Sequence, residues 1–185
     1  MRAHMIAEHH HIVGRQPGCP ILSCANIGGK LLPALQHSHN RSRHAGKDHH
    51  ITAEDCQKEL ARIGYTLKPL DIVLIRTGAS RYNTELRYLT DHSGMTGEST
   101  NWLIDQGIKM VGIDAPTWDR PVKSMFETKE FWPGHIVMLN REYYHLENMT
   151  NLDAIPVPHG FKVSVFPIKW KGTTAAPVRA VAIVE

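Results

Sequence analysis

Apolar residues recur at helical spacing in the segment that follows residue 51, at Cys56, Leu60 and Ile63. Thr52 stands just before this pattern and Asp55 stands three residues later, which is the arrangement of a capping box. Gly64 supplies the usual end of a helix. We therefore predict a helix over residues 52–63.

A second helix is predicted between Thr96, a residue type that caps helix N-termini, and Gly107. Two apolar runs flank this helix, one in the middle of residues 71–76, between Asp71 and Arg76, and one at residues 110–113. Such runs are typical of strands buried on both faces. Strand, helix and strand in this order predict a βαβ crossover with parallel strands, to which residues 79–95 add a long loop.

The last third of the chain alternates its apolar and polar residues. Phe161, Val163 and Val165 occupy every second position, which predicts a strand with one exposed face. Pro167 indicates that this strand lies at a sheet edge or is interrupted there. A closing strand is expected over residues 180–184.

Residues 1–50 show neither the helical nor the strand spacing of apolar residues, and they hold nine of the thirteen histidines. We interpret them as an irregular, histidine-rich segment, either loop or disordered, that precedes a single folded domain over residues 51–185. A shifted reading frame, altered splicing or a wrong gene model would also produce this change of character near residue 50. The histidines of the segment are expected to bind metal adventitiously, because no predicted element fixes their geometry.

Composition narrows the classes of protein to consider. The 185 residues, 42% of them hydrophobic, suffice for one core and hardly for two. A net charge of +3 without a basic run argues against nucleic-acid binding, and no apolar run reaches the roughly 20 residues that cross a membrane. The first 30 residues lack the order of a signal peptide, and three cysteines without a CxxC pair favour a reducing compartment. We therefore expect a cytoplasmic protein without nucleic-acid or membrane partners.

Histidine and carboxylate side chains bracket an apolar stretch at His135 and Glu147. Both types are common ligands of zinc, manganese and iron, and neighbouring strand ends would bring them together, so the pair is a candidate metal site. The alternative is a core histidine and a solvated glutamate, since two residues do not define a site. In a strand, His145 and Glu147 would point to the same face. They could then act together as a ligand or as an acid/base pair, and the alternative is a plain hydrogen-bonded pair.

Asp114 and Asp119 follow the predicted strand over residues 110–113, at the place where α/β proteins carry functional groups. Trp118 between them either lines a pocket for an aromatic substrate or covers the end of the sheet. The sequence holds no G-x-S-x-G elbow, P-loop or G-x-G-x-x-G fingerprint. Serine-hydrolase and nucleotide-binding functions are therefore disfavoured.

Seven phrases of the sequence occur in an order typical of one enzyme family. They are Ile51–Asp55, Asp71–Gly78, Gly94–Thr96, Val111–Pro116, Gly134–His135, His145–Ile155 and Pro177–Ala182. In that order they resemble the Putative cyclase family of hydrolases, which includes kynurenine formamidase, also called arylformamidase, and isatin hydrolase. The resemblance covers residues 51–185, and Leu146–Leu152 is its most specific part.

The resemblance implies an α/β fold of the mixed β/β/α, swivelling-domain-like kind, and a homo-oligomer, either a dimer or a tetramer. It also implies a divalent metal, zinc or manganese, that activates water for attack on a formamide, cyclic amide or lactone. His135 and Glu147 match two of the family's metal ligands. The resemblance transfers no role to His145 and leaves the catalytic residues of this chain unknown.

The sequence departs from the family pattern in its N-terminal part. The motif H-x-G-T-H-x-D-x-P-x-H, which supplies the remaining ligands, is expected before Thr52 and is not found there. The histidines at this place, His37, His39, His49 and His50, lack its aspartate spacing and its proline. A second hypothesis is therefore a catalytically inactive family member that acts as a structural or oligomerising partner. A third is a histidine-rich metal-storage module.

Overall fold

The computed structural model describes residues 2–13, 31–36 and 48–184, the first two stretches as backbone strands. The strands are β1 (Arg2–Val13), β2 (Leu31–Gln36), β3 (His50–Ile51), β4 (Ile72–Arg76), β5 (Gly94–Met95), β6 (Met110–Ile113), β7 (Tyr144–Leu146), β8 (Lys162–Pro167) and β9 (Ala175–Val184). The α-helices are α1 (Ala53–Ile63), α2 (Arg87–Thr90), α3 (Gly97–Asp105), α4 (Val122–Thr128) and α5 (Pro133–Val137). Short 3-10 helices cover Ala79–Tyr82 and Leu152–Ala154.

A mixed sheet has the strand order β2-β4-β6-β7-β1-β9-β8. The strands β2, β4, β6 and β7 run parallel, whereas β1 is antiparallel to β7 and β9, and β8 is antiparallel to β9. The connection between the paired strands β4 and β6 contains α3, so the predicted βαβ crossover is confirmed. Helices together with this mixed sheet confirm the predicted α/β class.

Strand β4 is buried on both faces, as its continuous apolar sequence predicts. Ile72 and Leu74 pack in one apolar cluster, and Val73 and Ile75 pack in another. Because successive strand residues point to opposite faces, the two clusters lie on opposite sides of the sheet. The strands β8 and β9 contribute to the first cluster, and the helices α1 and α3 contribute to the second.

The two longest helices begin as the sequence predicts. The Asp55 N–H donates to the Thr52 hydroxyl oxygen (3.2 Å), and the Thr52 N–H donates in return to the Asp55 carboxylate (2.9 Å). Gly64 ends α1 with a φ of 67°, a left-handed conformation that glycine adopts without steric cost. Thr96 and Ser99 form the corresponding capping box of α3. Both predicted helices are therefore confirmed.

Two strands lie in the segment that was expected to be irregular. β1 lies inside the sheet between β7 and β9, and β2 pairs with β4 at one edge. Neither strand shows a clear alternation of apolar and polar residues in its sequence. Both are defined by pairing with strands that are distant in the sequence, more than by a local pattern. The β2–β4 register shifts between Leu31 and Ala34, beside Pro33, whose nitrogen cannot donate to a ladder. Residues 14–30 and 37–47 lie outside the described residues, and the division at residue 50 stays a prediction.

The C-terminal hairpin contains both strands expected there. β8 ends at Pro167 and lies at the sheet edge, where the lack of a proline N–H is tolerated. β9 begins at Ala175, earlier than the expected start at residue 180, because it pairs along its length with β1 as well as with β8. Within the described residues, no helix is long and apolar enough to cross a membrane.

A partly buried ion pair ties the residues before β3 to α4. Arg120 donates from Nε (2.8 Å) and Nη2 (2.7 Å) to the two carboxylate oxygens of Asp48, and the Ser124 hydroxyl donates to the same carboxylate. Burial alone would raise the pKa of Asp48, but the hydrogen bonds from Arg120 and Ser124 outweigh burial and lower that pKa. The pair therefore anchors the backbone that directly follows Asp119.

Candidate metal centre

The two aspartates that follow β6 have different surroundings. Asp114 is buried and accepts hydrogen bonds from the backbone N–H groups of Thr77 (2.6 Å) and Gly78 (2.8 Å). Its carboxylate therefore holds the turn after β4, and burial raises its pKa despite these bonds. Asp119, in contrast, is directed at His135. Of these two candidates, the structure brings Asp119 to His135, whereas the carboxylate of Asp114 is bound by the turn at residues 77–78.

Asp119 organises the short helix α5, which carries His135. Its buried carboxylate accepts the backbone N–H groups of Gly134 (2.5 Å) and His135 (3.3 Å), and it also contacts Nδ1 of the His135 ring. A carboxylate accepts and does not donate, so Nδ1 carries a hydrogen and Nε2 is directed elsewhere. His135 itself lies on the helix α5. The expectation of a strand end is wrong, because Pro133 at the first helical position and the two N–H bonds to Asp119 favour a helical turn.

Glu147 directly follows β7, and the loop after β6 fixes its carboxylate. Its Oε1 accepts the backbone N–H of Trp118 (2.7 Å) and the hydroxyl of Thr117 (3.2 Å). The same oxygen lies 3.5 Å from Nε2 of His135 and 3.5 Å from Nε2 of His145. Burial raises the pKa of Glu147, although the Trp118 N–H and the charge of His135 oppose this increase. One carboxylate oxygen is thus the common neighbour of both imidazole rings.

His145 lies in β7 and is fully buried, and neither of its ring nitrogens has a hydrogen-bond partner in the described part of the chain. Its ring is parallel to that of Trp118, with 6.1 Å between centroids, and it meets the ring of His135 edge-on at 4.5 Å. Burial and the neighbouring His135 lower the pKa of His145 well below its ordinary value, so its ring is neutral. A buried imidazole with two unpaired nitrogens destabilises a fold unless a ligand binds it.

His135 is the most accessible of the three residues, with 24% of its side chain exposed. Burial disfavours its charged form, but the hydrogen bond and charge of Asp119, together with the charge of Glu147, outweigh burial and raise its pKa. The ring therefore holds a proton more firmly than an ordinary histidine does. A cation that binds at Nε2 must displace that proton, so its affinity is expected to fall as the solution becomes more acidic.

The donor atoms of His135, His145 and Glu147 all lie within 4.8 Å of one another. Tetrahedral zinc with bonds of about 2.0–2.1 Å keeps its ligand atoms roughly 3.4 Å apart. The two separations of 3.5 Å around the Glu147 oxygen match that spacing. Two imidazoles and a carboxylate also suit manganese and iron. These residues therefore fit a divalent cation, and no other cluster of this kind occurs among the described side chains.

Backbone contacts fix the loop that carries Trp118 and Asp119. The Met95 N–H, in β5, donates to the Trp118 carbonyl oxygen (2.8 Å). A Cβ added at Gly94 would lie 2.2 Å from the carbonyl carbon and oxygen of Asp119, which is closer than real side chains approach a backbone. The glycine thus permits β5 to contact the loop directly, and this contact sets the position of Asp119 relative to α5.

A groove of about 400 Å³ opens beside the cluster and is lined by Trp132, His135, Ile136 and Leu139. Trp118 does not line this groove, because its ring is fully buried and its indole N–H donates to the Thr100 hydroxyl (2.9 Å). The pocket-lining expectation for Trp118 is therefore wrong, because the ring is packed in one of the two apolar clusters. The alternative, a tryptophan that covers the end of the sheet, stays a prediction. Trp132 provides the aromatic wall, and its closeness to His135 in sequence is the signal that points to it.

The histidines of the N-terminal segment are described in part. His9, His10 and His11 lie in β1, where the backbone alone is described, and His37, His39 and His44 fall outside the described residues. His49 pairs with Asp55 at 3.1 Å, next to the start of α1. Adventitious metal binding by this segment stays a prediction.

The sequence matches a protein family and a curated relative. Residues 29–120 match the family model described as Putative cyclase. Over 109 residues the chain is 28% identical to the kynurenine formamidase of Bordetella avium (strain 197N), a match that covers 59% of this chain. It covers 47% of the relative, so the chain spans about half the length of the curated relative that it matches. The family match begins upstream of residue 51 and ends before both predicted metal ligands.

Solved structures of similar fold include two isatin hydrolases. One, bound to the product analogue thioisatinate, has a TM-score of 0.76 at 19% identity and covers 95% of this chain and 71% of its own. Isatin hydrolase A from Ralstonia solanacearum has a TM-score of 0.76 at 21% identity, with the same coverage. A potential metal-dependent hydrolase with cyclase activity has a TM-score of 0.61 at 21% identity and covers 94% of this chain and 76% of its own. These similarities establish the fold.

Proposed function

Because this chain belongs to the cyclase family, we propose that it is a metal-dependent hydrolase of a small formamide, cyclic amide or lactone. One observation carries the proposal. His135 Nε2, which is the ring nitrogen that Asp119 leaves free, lies 3.5 Å from a Glu147 oxygen that the Trp118 N–H holds in place. A residue of α5 and the residue that follows β7 thus converge on one point with the donor types that a divalent cation requires.

In this proposal His135 and Glu147 bind a divalent cation, zinc or manganese. When bound, such a cation supplies Lewis acidity, which activates water and polarises a carbonyl group. Asp119 orients the His135 ring by accepting from Nδ1, and such an outer carboxylate also makes the ligating nitrogen more basic. Trp118 and Thr117 hold the Glu147 carboxylate through its Oε1. These contacts fix the ligands before any cation arrives.

The groove beside His135 is proposed to bind the apolar part of the substrate. The side chains of Trp132, Ile136 and Leu139 form its apolar walls, and His135 lines it as a polar side chain. The rings of Trp132 and His135 meet edge to face at 5.3 Å. An aromatic ring stacked on Trp132 would place an attached amide or lactone carbonyl next to His135. The relatives named kynurenine formamidase and isatin hydrolase make a formamide and isatin the first substrates to test.

A homo-oligomer, a dimer or tetramer, is part of the proposal. Large apolar side chains on and around α4 and α5 are exposed: Val122, Phe126, Phe131, Trp132, Ile136 and Leu139. An exposed apolar surface of this kind is typical of a protein interface. Light scattering coupled to size exclusion tests it, and a monomer at micromolar concentration would contradict it.

The activity is tested with the purified full chain, loaded with one equivalent of Zn²⁺ or Mn²⁺. Hydrolysis of an N-formylated aromatic amine, of isatin and of an aromatic lactone is followed by liquid chromatography. We expect turnover of at least one of them, and Glu147→Gln and His135→Asn are expected to lower it by about 100-fold or more. Matched controls are Glu142→Gln, a half-exposed glutamate, and His159→Asn, a partly buried histidine that is not part of the cluster.

The alternative of an inactive family member makes a different prediction. A folded wild-type chain that carries one metal ion and hydrolyses none of the three substrates would contradict the hydrolase proposal. The absent H-x-G-T-H-x-D-x-P-x-H motif is the observation that favours this alternative. In that case, the exposed apolar surface around α4 and α5 would be the remaining candidate for a role, as an assembly surface.

A further inference from the structure

We propose that His145 is a third cation ligand and that, with His135 and Glu147, it completes a metal site from a single short segment of this chain. The inference rests on the proposed function in one respect, namely that a divalent cation binds at this place. It adds a residue to which the family resemblance gives no role. It also explains how a chain without the N-terminal histidine motif still provides three protein ligands.

The first observation is the state of the His145 side chain. The ring is fully buried, yet both of its nitrogens lack hydrogen-bond partners in the part of the chain that the structure describes. An apolar residue of similar size would fill the same space without that desolvation cost. A histidine at such a position is explained when a ligand occupies at least one of its nitrogens.

The second observation is the direction of the ring. Its Nε2 lies 3.5 Å from the Glu147 oxygen, the same separation that His135 Nε2 shows. The Trp118 ring, stacked parallel to it, and the Tyr143 ring, tilted at 5.6 Å, limit its rotation. Two imidazole nitrogens are therefore presented to one carboxylate oxygen.

The third observation is the balance of charge and access. Glu147 supplies a negative charge, and His135, which is partly exposed, borders the groove. Three protein ligands with access from one side match the catalytic pattern of zinc sites, in which a fourth position stays open.

The test measures zinc affinity of the full chain, stripped of metal with a chelator and titrated in competition with a chromophoric zinc indicator. We expect one Zn²⁺ per chain for the wild type. His145→Phe keeps an aromatic ring next to Trp118 and is expected to weaken zinc binding by about 100-fold or more. Replacing a residue that only hydrogen-bonds to a ligand weakens metal binding by roughly 10–100-fold, and loss of the ligand itself should cost more. His159→Phe is the matched control, because His159 also contacts an aromatic ring, that of Tyr65, with the two rings tilted and their centroids 5.0 Å apart.

A purely structural role for His145 makes the opposite predictions. The metal-free His145→Phe chain would then unfold at a lower temperature, whereas a ligand role predicts an unchanged or higher temperature. X-ray absorption of the zinc-loaded wild type needs no variant, and it should count two imidazole ligands. Equal zinc affinity in wild type and His145→Phe, or a single imidazole, would overturn the inference.

The outcomes separate this inference from the hydrolase proposal. Zinc binding that depends on Glu147 and not on His145 overturns the third ligand and leaves the proposed activity standing. Binding that depends on His145, in a chain that hydrolyses no substrate, supports the third ligand and contradicts the hydrolase. If His145→Phe and Glu147→Gln both bind zinc as tightly as the wild type does, the zinc is bound elsewhere, for example by the N-terminal histidines. That result also overturns the inference.

Discussion

The indole ring of Trp118 lies parallel to the imidazole ring of His145, with interplanar angle 6° and centroids 6.1 Å apart. The backbone N–H of the same tryptophan donates to Glu147 (2.7 Å). One residue therefore orients two of the three candidate ligands, one through its ring and the other through its main chain. Its own position depends on the hydrogen bond from its indole N–H to Thr100 in α3 (2.9 Å).

Replacing Trp118 by phenylalanine should destabilise the chain. The change removes the bond to Thr100 and leaves a void where the larger ring packed, so we expect a loss of about 1–3 kcal/mol in the free energy of unfolding. Urea unfolding followed by circular dichroism measures it. Trp170→Phe is the control, because Trp170 is half-exposed, and it should cost less than about 0.5 kcal/mol. Equal losses in the two variants would show that the buried ring is not anchored as described.

Asp119→Asn should weaken metal binding without removing a ligand. The amide no longer provides the charge that raises the pKa of His135, and its single oxygen cannot accept from both the Gly134 N–H and Nδ1 of His135. We expect zinc affinity to fall by about 10–100-fold, measured with the same indicator after the fold has been checked by circular dichroism. Asp153→Asn, an exposed aspartate, is the control. Affinity unchanged in Asp119→Asn would exclude an orienting role for this carboxylate.

Gly94→Ala should be among the most damaging single-methyl additions to this chain. The new Cβ would collide with the backbone of Asp119 at 2.2 Å, and main-chain atoms cannot yield as a flexible side chain does. We expect a loss of at least about 3 kcal/mol in the free energy of unfolding. Gly172→Ala, at a φ of 78° but in open space, should cost about 1 kcal/mol. The reverse order of these two losses would refute the close contact of β5 with the loop.

The Asp48–Arg120 pair predicts a dependence of stability on pH. The pKa of Asp48 is lowered in the folded state, so the stabilisation is fully present above the unfolded value of about 3.9 and is lost as pH falls through the folded value. Arg120→Met should therefore reduce the free energy of unfolding by about 1–2 kcal/mol at pH 7 and by less at pH 3.

Urea denaturation of Arg120→Met and of the wild type at both pH values provides this comparison. Lys109→Met serves as the control, because Lys109 pairs with Glu142 at 3.5 Å on an exposed surface and should have little effect at either pH. A difference between wild type and Arg120→Met that stays constant with pH would show that the Asp48 charge is not the source of the stabilisation.

Local signals in the sequence were sufficient for the elements whose ends are set by their own residues. Thr52 and Asp55 cap α1, and the apolar run of residues 72–75 forms a strand buried on both faces, because capping and burial act over a few neighbouring residues. The strands β1 and β2 were not predicted, since their partners lie far away in the sequence and their own composition shows no period.

The candidate site was predictable in its residue types and not in its geometry. His135 and Glu147 are candidates from their residue types and from the resemblance, but the helix that carries His135 depends on the contact with Asp119, which no spacing rule shows. Burial of His145 and the absence of hydrogen-bond partners for it among the described residues likewise follow from packing, through the ring of Trp118. Tertiary contacts, and not local sequence, therefore define the third candidate ligand.

The place of β1 in the sheet has a consequence for how the chain folds during synthesis. β1 leaves the ribosome before every other described element, yet its partner along most of its length is β9, which emerges last and pairs from Arg2↔Val184 to Val13↔Ala175. Such long-range pairing is slow to form, and an unpaired strand exposed in the meantime is a target for aggregation. The parallel half of the sheet is available to assemble early, whereas most of β1 must wait until β9 has been synthesised, so a nascent chain stalled before residue 175 should depend on chaperones that shield a single strand.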